Sequence, residues 1–392
     1  MNQNRRLTFY EFFAGGGMAR LGLGDDWRCL FANDFDPVKA ATYRANFSDA
    51  GKHFHPGDVW ALTAADLPGR ADLAWASSPC QDFSLAGARA GLAGGRSSAF
   101  FGFWRLMEAL GAEDRAPRVI VVENVAGLLT SHGGRDFQAL CRGLAGLGYG
   151  FGALEIDAAC VTPQSRPRVF VIASRAPPSP SLLGESPFHT RAVRAAAAAL
   201  PADIAAAWRW WRLASPPMRN ADLSALLEPD EAVAWRTPAQ TARLVAMMAP
   251  LHRERLRQRQ RSDARSVGAV FRRTRHEEGR RVQRAEIRFD GLAGCLRTPR
   301  GGSSRQTLVV IDGGEVRSRL VSPREAARLM GLPDSYRLPP AVTSALHVAG
   351  DGVVVPVVRW LARELLEPLA TPVTVLERDS FKWMPIEAPV TL

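Results

Sequence analysis

Short apolar runs alternating with helical patterns constrain this chain more than any other feature. LTFYEFF, RCLFAND, ADLAWASS, RVIVVENV and RVFVIAS follow one another up to Ser174, each closed by a polar or glycine turn. That rhythm predicts an α/β fold, with a parallel sheet whose crossovers are helices. After Ser174 the character changes to the Pro/Ser-rich stretch ASRAPPSPSLLGESP, which reads as a linker or boundary. An alanine-rich stretch from Ala192 to Leu213 is expected to be helical, and Trp208, Trp210 and Trp211 within it are read as helix packing at a domain interface. Further on, VSPREAARLMGLPDSY predicts a capped helix, with Ser322 as N-cap, Pro323 in the first turn, Glu325 three residues after the cap and Gly331 as the stop. GDGVVVPVVRWLARELLEPL reads as one more amphipathic helix.

With 392 residues, 46% of them hydrophobic, two domains with a sizeable core are expected. Five scattered cysteines, Cys29, Cys80, Cys141, Cys160 and Cys295, form no C-x-x-C pair, which disfavours zinc and redox sites and suits a reducing compartment. The start MNQNRRLTFYEFFAGGG has no signal-peptide core, and no apolar run approaches bilayer length, so a cytoplasmic protein without a membrane partner is expected. The net charge of +11 suits a polyanion. Lys39, Lys52 and Lys382 are the three lysines, which leaves 47 arginines, a bias that codon usage alone explains. Their distribution says more: Leu251 to Asp290 holds 13 arginines against 6 acids, a net +7, though a solvated helix face explains such a run equally well.

Several short motifs fall at the ends of the apolar runs. Phe13-Ala14-Gly15-Gly16-Gly17 lies between a strand and a helical pattern, where a glycine turn brings backbone close to a ligand or serves as a plain turn. Asp34 ends the next run, where an acid commonly binds ribose hydroxyls, and a dinucleotide or an adenosyl cofactor fits equally well. Phe35 is placed to stack on an adenine, and Asp58, before Val59, to accept from its amino group; core and turn roles remain open for both. Ser78-Pro79-Cys80-Gln81-Asp82-Phe83-Ser84 puts a cysteine just beyond a strand end, before the glycine-rich GARAGLAGGR. A lone cysteine is commonly inert and buried, but the loop position argues for a nucleophile. Glu123-Asn124-Val125 sets a carboxylate at another strand end, as a capping acid would also be. Gln164-Ser165-Arg166-Pro167-Arg168 carries two arginines at alternate positions of an extended segment.

Taken in this order, FAGGG, Asp34-Phe35, GDV, SPCQDFS, ENV, QSRPR, SPREAARLMGLPDSY and GDGVVVPV resemble the DNA cytosine C5-methyltransferase family of bacterial type along most of the chain. The resemblance implies an S-adenosylmethionine-dependent, Rossmann-like catalytic domain over 1–175, a smaller target-recognition domain over 176–315, and a C-terminal segment, 316–392, that returns to the first. It implies Cys80 as the nucleophile that adds to cytosine C6, Glu123 as proton donor at N3, Arg168 on the cytosine O2 and Arg166 as support for the loop, all on a base flipped out of the duplex. Cofactor contacts are implied for Phe13, Ala14, Gly15, Gly17, Met18, Asp34, Phe35, Asp58, Val59, Pro79, Asp351, Gly352 and Val353. DNA contacts are implied for Gln81, Ser84, Arg89 and Arg96, and for the loop residues Arg297, Thr298, Arg300, Ser303, Ser304 and Arg305. Glu11, Met18 and Asp351 depart from the commonest family residues, Asp351 standing where an Asn is usual, which keeps an acceptor and loses a donor.

The implied partner is double-stranded DNA. A monomer located at the nucleoid, a separately acting restriction endonuclease, and no metal complete these expectations. A nicotinamide oxidoreductase leaves SPCQ, ENV and QSRPR without roles, and a catalytically dead relative would lack Cys80 or Glu123. A tRNA cytosine methyltransferase is the alternative in substrate, and the arginine-rich insert between Ala176 and Glu315 favours DNA.

Overall fold

The computed structural model describes residues 5–78, 99–216, 218–219, 221–262, 264–277, 279–296 and 305–371. Seven strands form the main sheet: β1 (Leu7–Phe12), β2 (Trp27–Asp34), β3 (Phe54–Pro56), β4 (Leu73–Ala76), β5 (Val119–Val125), β6 (Gly150–Asp157) and β7 (Pro167–Ser174). Their spatial order is β3-β2-β1-β4-β5-β7-β6, and β7 runs antiparallel to both of its neighbours. The order reverses direction between β1 and β4, so the loops leaving those strands diverge and open a crevice at their carboxyl ends. All five apolar runs of the sequence are strands of this sheet.

Alternate strand residues enter different cores. Phe9, Trp75, Val119 and Val121 face one side, while Tyr10, Phe12, Ala74, Ile120 and Val122 face the other. On the second side lie α3 (Ala99–Ala112), α4 (Arg135–Gly146) and α5 (Arg191–Ala198), introduced after α1 (Met18–Leu23) and α2 (Pro37–Asn46). On the first side, α1 meets helices from the other end of the chain. A Cβ on Gly22 of α1 would stand 2.4 Å from the Cβ of Val358 and 2.9 Å from the Val355 carbonyl oxygen, so the missing side chain is what lets the two helices close.

The chain does not leave the main sheet at Ser174. The Phe151 amide donates to the Ala207 carbonyl, the Glu155 amide to Phe188, and the Trp211 indole to the Ile172 carbonyl. The expected helix from Ala192 to Leu213 breaks up: α5 ends at Ala198, α6 spans only Ala202–Ala205 behind Pro201, and Trp208 and Trp211 lie in extended chain bridged to Phe151 and Leu183. Alanine content favoured helix, but the extended chain buries Trp211 with its indole bonded to the Ile172 carbonyl and sets Trp208 edge-on to Phe151.

The second unit contains α7 (Pro238–Ala246), α8 (Pro250–Gln260) and an antiparallel sheet of β8 (Ser266–Glu277), β9 (Arg280–Arg288), β10 (Thr307–Asp312) and β11 (Glu315–Leu320), ordered β11-β10-β8-β9. Val309 and Ile311 face the helices with Leu244, Met248 and Leu256, while Leu308 faces the main core, so β10 serves two cores at once. The second sheet ends with β11 at Leu320.

From there the chain returns as α9 (Pro323–Leu329), α10 (Val342–Asp351), α11 (Val355–Leu361), a π-helical turn and α12 (Glu367–Ala370). The α9 cap is the one expected: the Ser322 hydroxyl accepts from the Glu325 amide, and a Glu325 oxygen accepts from the Ser322 amide at 2.9 Å. GDGVVVPVV is not one continuous helix, because α10 stops at Asp351 and Pro356 opens α11. The stretch Val342–Ala370 is long and apolar enough to cross a bilayer by length and composition, contrary to expectation, but its most apolar part is mostly buried inside the protein, as in a core helix.

Candidate active site

Three strand ends build the glycine-loop side of the crevice. Behind β1, the backbone turns through Phe13, Gly15 and Gly17 at φ 57, 56 and 80. Left-handed conformations are inexpensive for the glycines and costly for Phe13, whose strain is held by the Ala14 amide bonding the Asn33 carbonyl at 2.9 Å. Asp34 closes this turn. One of its oxygens accepts from the Gly15 amide at 2.7 Å and the other from the Asp36 amide at 2.8 Å. Burial raises its pKa, against the charge of Lys39 and these two amides. Each oxygen keeps a lone pair for a further donor. Next to it, Phe35 is 76% exposed, the kind of uncovered ring that a flat base can stack on.

The other residues expected around the cofactor divide into surface and core. Asp58 is exposed and caps a short turn by accepting from the Trp60 amide at 3.0 Å. Val59 is core and packs against α3 at Gly102. Met18 and Val353 are buried, and the Met18 sulfur lies where a side chain on Gly352 would go. Asp351 forms an ion pair with Lys39 at 2.8 Å, so the returning C-terminal segment is tied to α2 beside Asp34. Lys39 was not singled out from the sequence. Glu11 sits beneath the same loop with one oxygen accepting from the Arg20 amide at 3.3 Å and the other buried without a partner, and burial pushes its pKa up to about 8.

The β4 and β5 ends build the other side. Asn124 donates through its side-chain amide to the Ser78 carbonyl at 3.0 Å, which fixes where the chain leaves β4. One residue earlier, Glu123 is buried, and its carboxylate meets the Arg168 Nε at 3.3 Å across the β5–β7 pairing. Pro79, Cys80, Gln81, Ser84, Arg89 and Arg96 lie outside the described residues, as do Arg297, Thr298, Arg300, Ser303 and Ser304.

Arg166 and Gln164 behave as struts. Arg166 donates from Nη1 to the Leu296 carbonyl at 2.9 Å and from Nη2 to the carbonyls of Gly350 and Gly352, both at 2.8 Å. Burial, and then the charge of Arg168, bring its pKa down to about 10. Nη1 also donates to the Cys295 sulfur at 3.5 Å, so among the described residues Arg166 joins the second unit and the C-terminal segment to β7. Gln164 does likewise, accepting from the Leu296 amide at 3.1 Å and donating to the Leu329 carbonyl at 3.0 Å. Sequence reading passed over Gln164 and Asn124, although their place inside QSRPR and ENV was the available signal. Arg305 reaches the Val321 carbonyl with Nη2 at 3.4 Å, and its buried Nε has no partner.

A family model described as C-5 cytosine-specific DNA methylase matches residues 7–367. The chain is 27% identical to the Type II methyltransferase M.NlaX of Neisseria lactamica, over 92% of this chain and 96% of that one. It is 25% identical to M.HhaI of Haemophilus parahaemolyticus, over 91% and 93%. Among solved structures, the Dnmt2 methyltransferase of S. pombe aligns with a TM-score of 0.57 at 18% identity, covering 93% of this chain and 99% of that one, a likeness of fold.

Proposed function

The chain belongs to the C-5 cytosine-specific DNA methylase family and is a DNA cytosine C5-methyltransferase, and on that premise we propose that it works on a flipped-out cytosine through a covalent adduct to Cys80, with S-adenosylmethionine as methyl donor. One observation carries the reading. Asn124 clamps Ser78 two residues before Cys80, while the adjacent Glu123 is paired with Arg168. N3 and O2 are neighbours on the cytosine ring, so two neighbouring side chains of these types suit them: Glu123 gives a proton or hydrogen bond at N3, and Arg168 holds O2 with an N–H that Glu123 does not use.

Cytosine C5 is too weak a nucleophile to take a methyl group unaided. The Cys80 thiolate forms a bond to C6, and the ring electrons move toward C5, with Glu123 meeting the charge that reaches N3. C5, so activated, would take the methyl group that the bound donor supplies. Loss of the C5 proton to a base and cleavage of the Cys80–C6 bond restore the aromatic ring and the thiolate. Both ring faces have to be reached, which requires the base outside the stack.

The crevice fits the donor on three counts: a glycine turn at the sheet's switch point, an Asp34 carboxylate with lone pairs left for ribose hydroxyls, and the uncovered Phe35 ring for adenine. Bound there, S-adenosylmethionine supplies an electrophilic methyl on sulfur. Asp351 lies beside this crevice through its ion pair with Lys39. We assign sequence choice to the second unit, and the Type II relatives make a restriction-modification role the natural setting.

Incubation with a duplex carrying 5-fluorocytosine at the target should trap the enzyme in a denaturation-resistant adduct, because fluorine cannot leave as the C5 proton does. C80S should form none and lose methyl transfer while still binding DNA. Near-normal turnover by C80S would overturn the covalent step. Transfer to tRNA but not to duplex DNA, assayed side by side, would overturn the substrate.

A further inference from the structure

The second unit holds an open cavity of about 220 Å³ between α7 and β8, lined by Arg236, Arg243, Arg272, Gln240, Leu244 and Met247. Three guanidinium-bearing side chains surround it and no carboxylate does. Among the described residues Arg236 and Arg272 make no ion pair and no side-chain hydrogen bond, and Arg243 gives only its Nε to the Ala239 carbonyl, one turn back in its own helix. Burial, and then the like charge of Arg272, bring the Arg236 pKa down. Gln240 spends its oxygen on the Thr237 amide and has its amide donors left.

The two faces of the β8–β9 ribbon differ in the same way. Residues directly opposite in an antiparallel pair share a face. Arg273, Arg275 and Arg284 share one face with Glu277 and Glu286, and there Arg273 and Arg275 pair with Glu286 while Arg284 pairs with Glu277. The other face continues from the buried pair Val270 and Ile287 through Arg272 and Ala285, Thr274 and Gln283, to His276 and Arg281. It bears no acid among the described residues. On the first face Arg273, Arg275 and Arg284 are therefore held by glutamates, whereas Arg272 and Arg281 of the second face have no acid beside them and run in line with the cavity.

We propose that this cavity, together with the Arg272–Arg281 face of the ribbon, seats successive backbone phosphates of the DNA substrate. The proposal rests on DNA being that substrate. Free guanidinium N–H groups match phosphate oxygens in charge and geometry, and the apolar floor of Leu244 and Met247 lowers competition from water. Phosphates on a helical backbone recur at regular intervals, which suits a row of cations rather than a single site. Contacts of this kind position the duplex without reading its sequence.

Salt-titrated binding to a duplex that the wild type methylates, and to one lacking the site, tests this. R236Q/R272Q should weaken both by roughly tenfold at moderate salt and flatten the dependence of log affinity on log salt by about 0.9 for each phosphate lost. R273Q/R275Q, which removes two arginines already paired with Glu286, should leave the slope unchanged. An unchanged slope in R236Q/R272Q at an unchanged thermal midpoint overturns the proposal, and so does an equal loss in R273Q/R275Q. A thermal shift by inorganic phosphate that R236Q/R272Q abolishes, with duplex binding intact, would reassign the cavity to a free anion. Failure of the wild type to methylate any duplex is a separate result, which removes the DNA reading itself.

Discussion

Arginine does opposite work in the buried junctions of this molecule and on its exposed helix α8. Arg319 is fully buried, and its two terminal nitrogens meet both Glu325 oxygens at 2.7 and 2.6 Å, where Glu325 also accepts from the amides of Ser322 and Glu228. Arg166 is buried too and holds three backbone carbonyls. On α8, Arg255, Arg257 and Arg259 stand in solvent: Arg257 pairs with Glu254 at 3.3 Å and Arg259 lies over the Phe289 ring. The difference is solvation. Water screens the exposed charges and makes each pair nearly dispensable, whereas a buried charge that loses its partner cannot be rehydrated.

The sharpest test of that contrast is Arg319→Leu. It leaves Glu325 charged and buried at the junction of β11 and α9, and should cost about 3–5 kcal/mol in denaturant-measured stability. The double variant R319L/E325L should recover much of the loss, because two apolar side chains need no solvation. If the double variant is as unstable as the single, the pair is holding the junction by geometry and the solvation argument fails.

A smaller effect is expected beneath the glycine loop. The Glu11 carboxyl titrates near 8 in the folded protein against 4.5 for the ordinary group, because burial penalises its charge. Between those values the unfolded chain has given up a proton that the folded chain keeps, so this group's contribution to stability is greatest below pH 4.5, is lost as pH rises through 8 and levels off above it. Relative to this, Glu11→Gln should flatten the stability profile over that window and raise stability at pH 8. Parallel profiles for the two proteins would mean that Glu11 ionises freely.

The smallest effect belongs to α8. Arg257→Ala should change stability by less than about 0.5 kcal/mol, since exposed ion pairs three residues apart on a helix contribute little. A loss comparable to that of Arg319→Leu, read by the same denaturant titration, would erase the distinction between the two regions.

Much of the catalytic unit is legible in the amino-acid sequence. The five apolar runs are strands of the main sheet, and Ser322 caps α9 as its spacing predicts. Two readings went astray where composition stood in for packing: the alanine-rich stretch stops being helical at Ala205, and the long C-terminal helix is divided at Gly352. At the site, the residues expected to contact ligand include several that the fold uses internally, such as Val59 and Val353 in the core. Lys39 carried no signal at all, since its partner Asp351 lies at the far end of the chain.

What the sequence determined by itself is what depends on neighbours a few residues apart: strand and helix periods, a capping box, a glycine turn, and the set of reactive groups at strand ends. Only the tertiary structure decided which charges are buried. Arg166 meets carbonyls 130, 184 and 186 residues away. No local pattern distinguishes it from Arg168, whose Nε lies against Glu123. Desolvation is set by everything packed around a group, and that surrounding is assembled from segments whose meeting is written in no single stretch of chain.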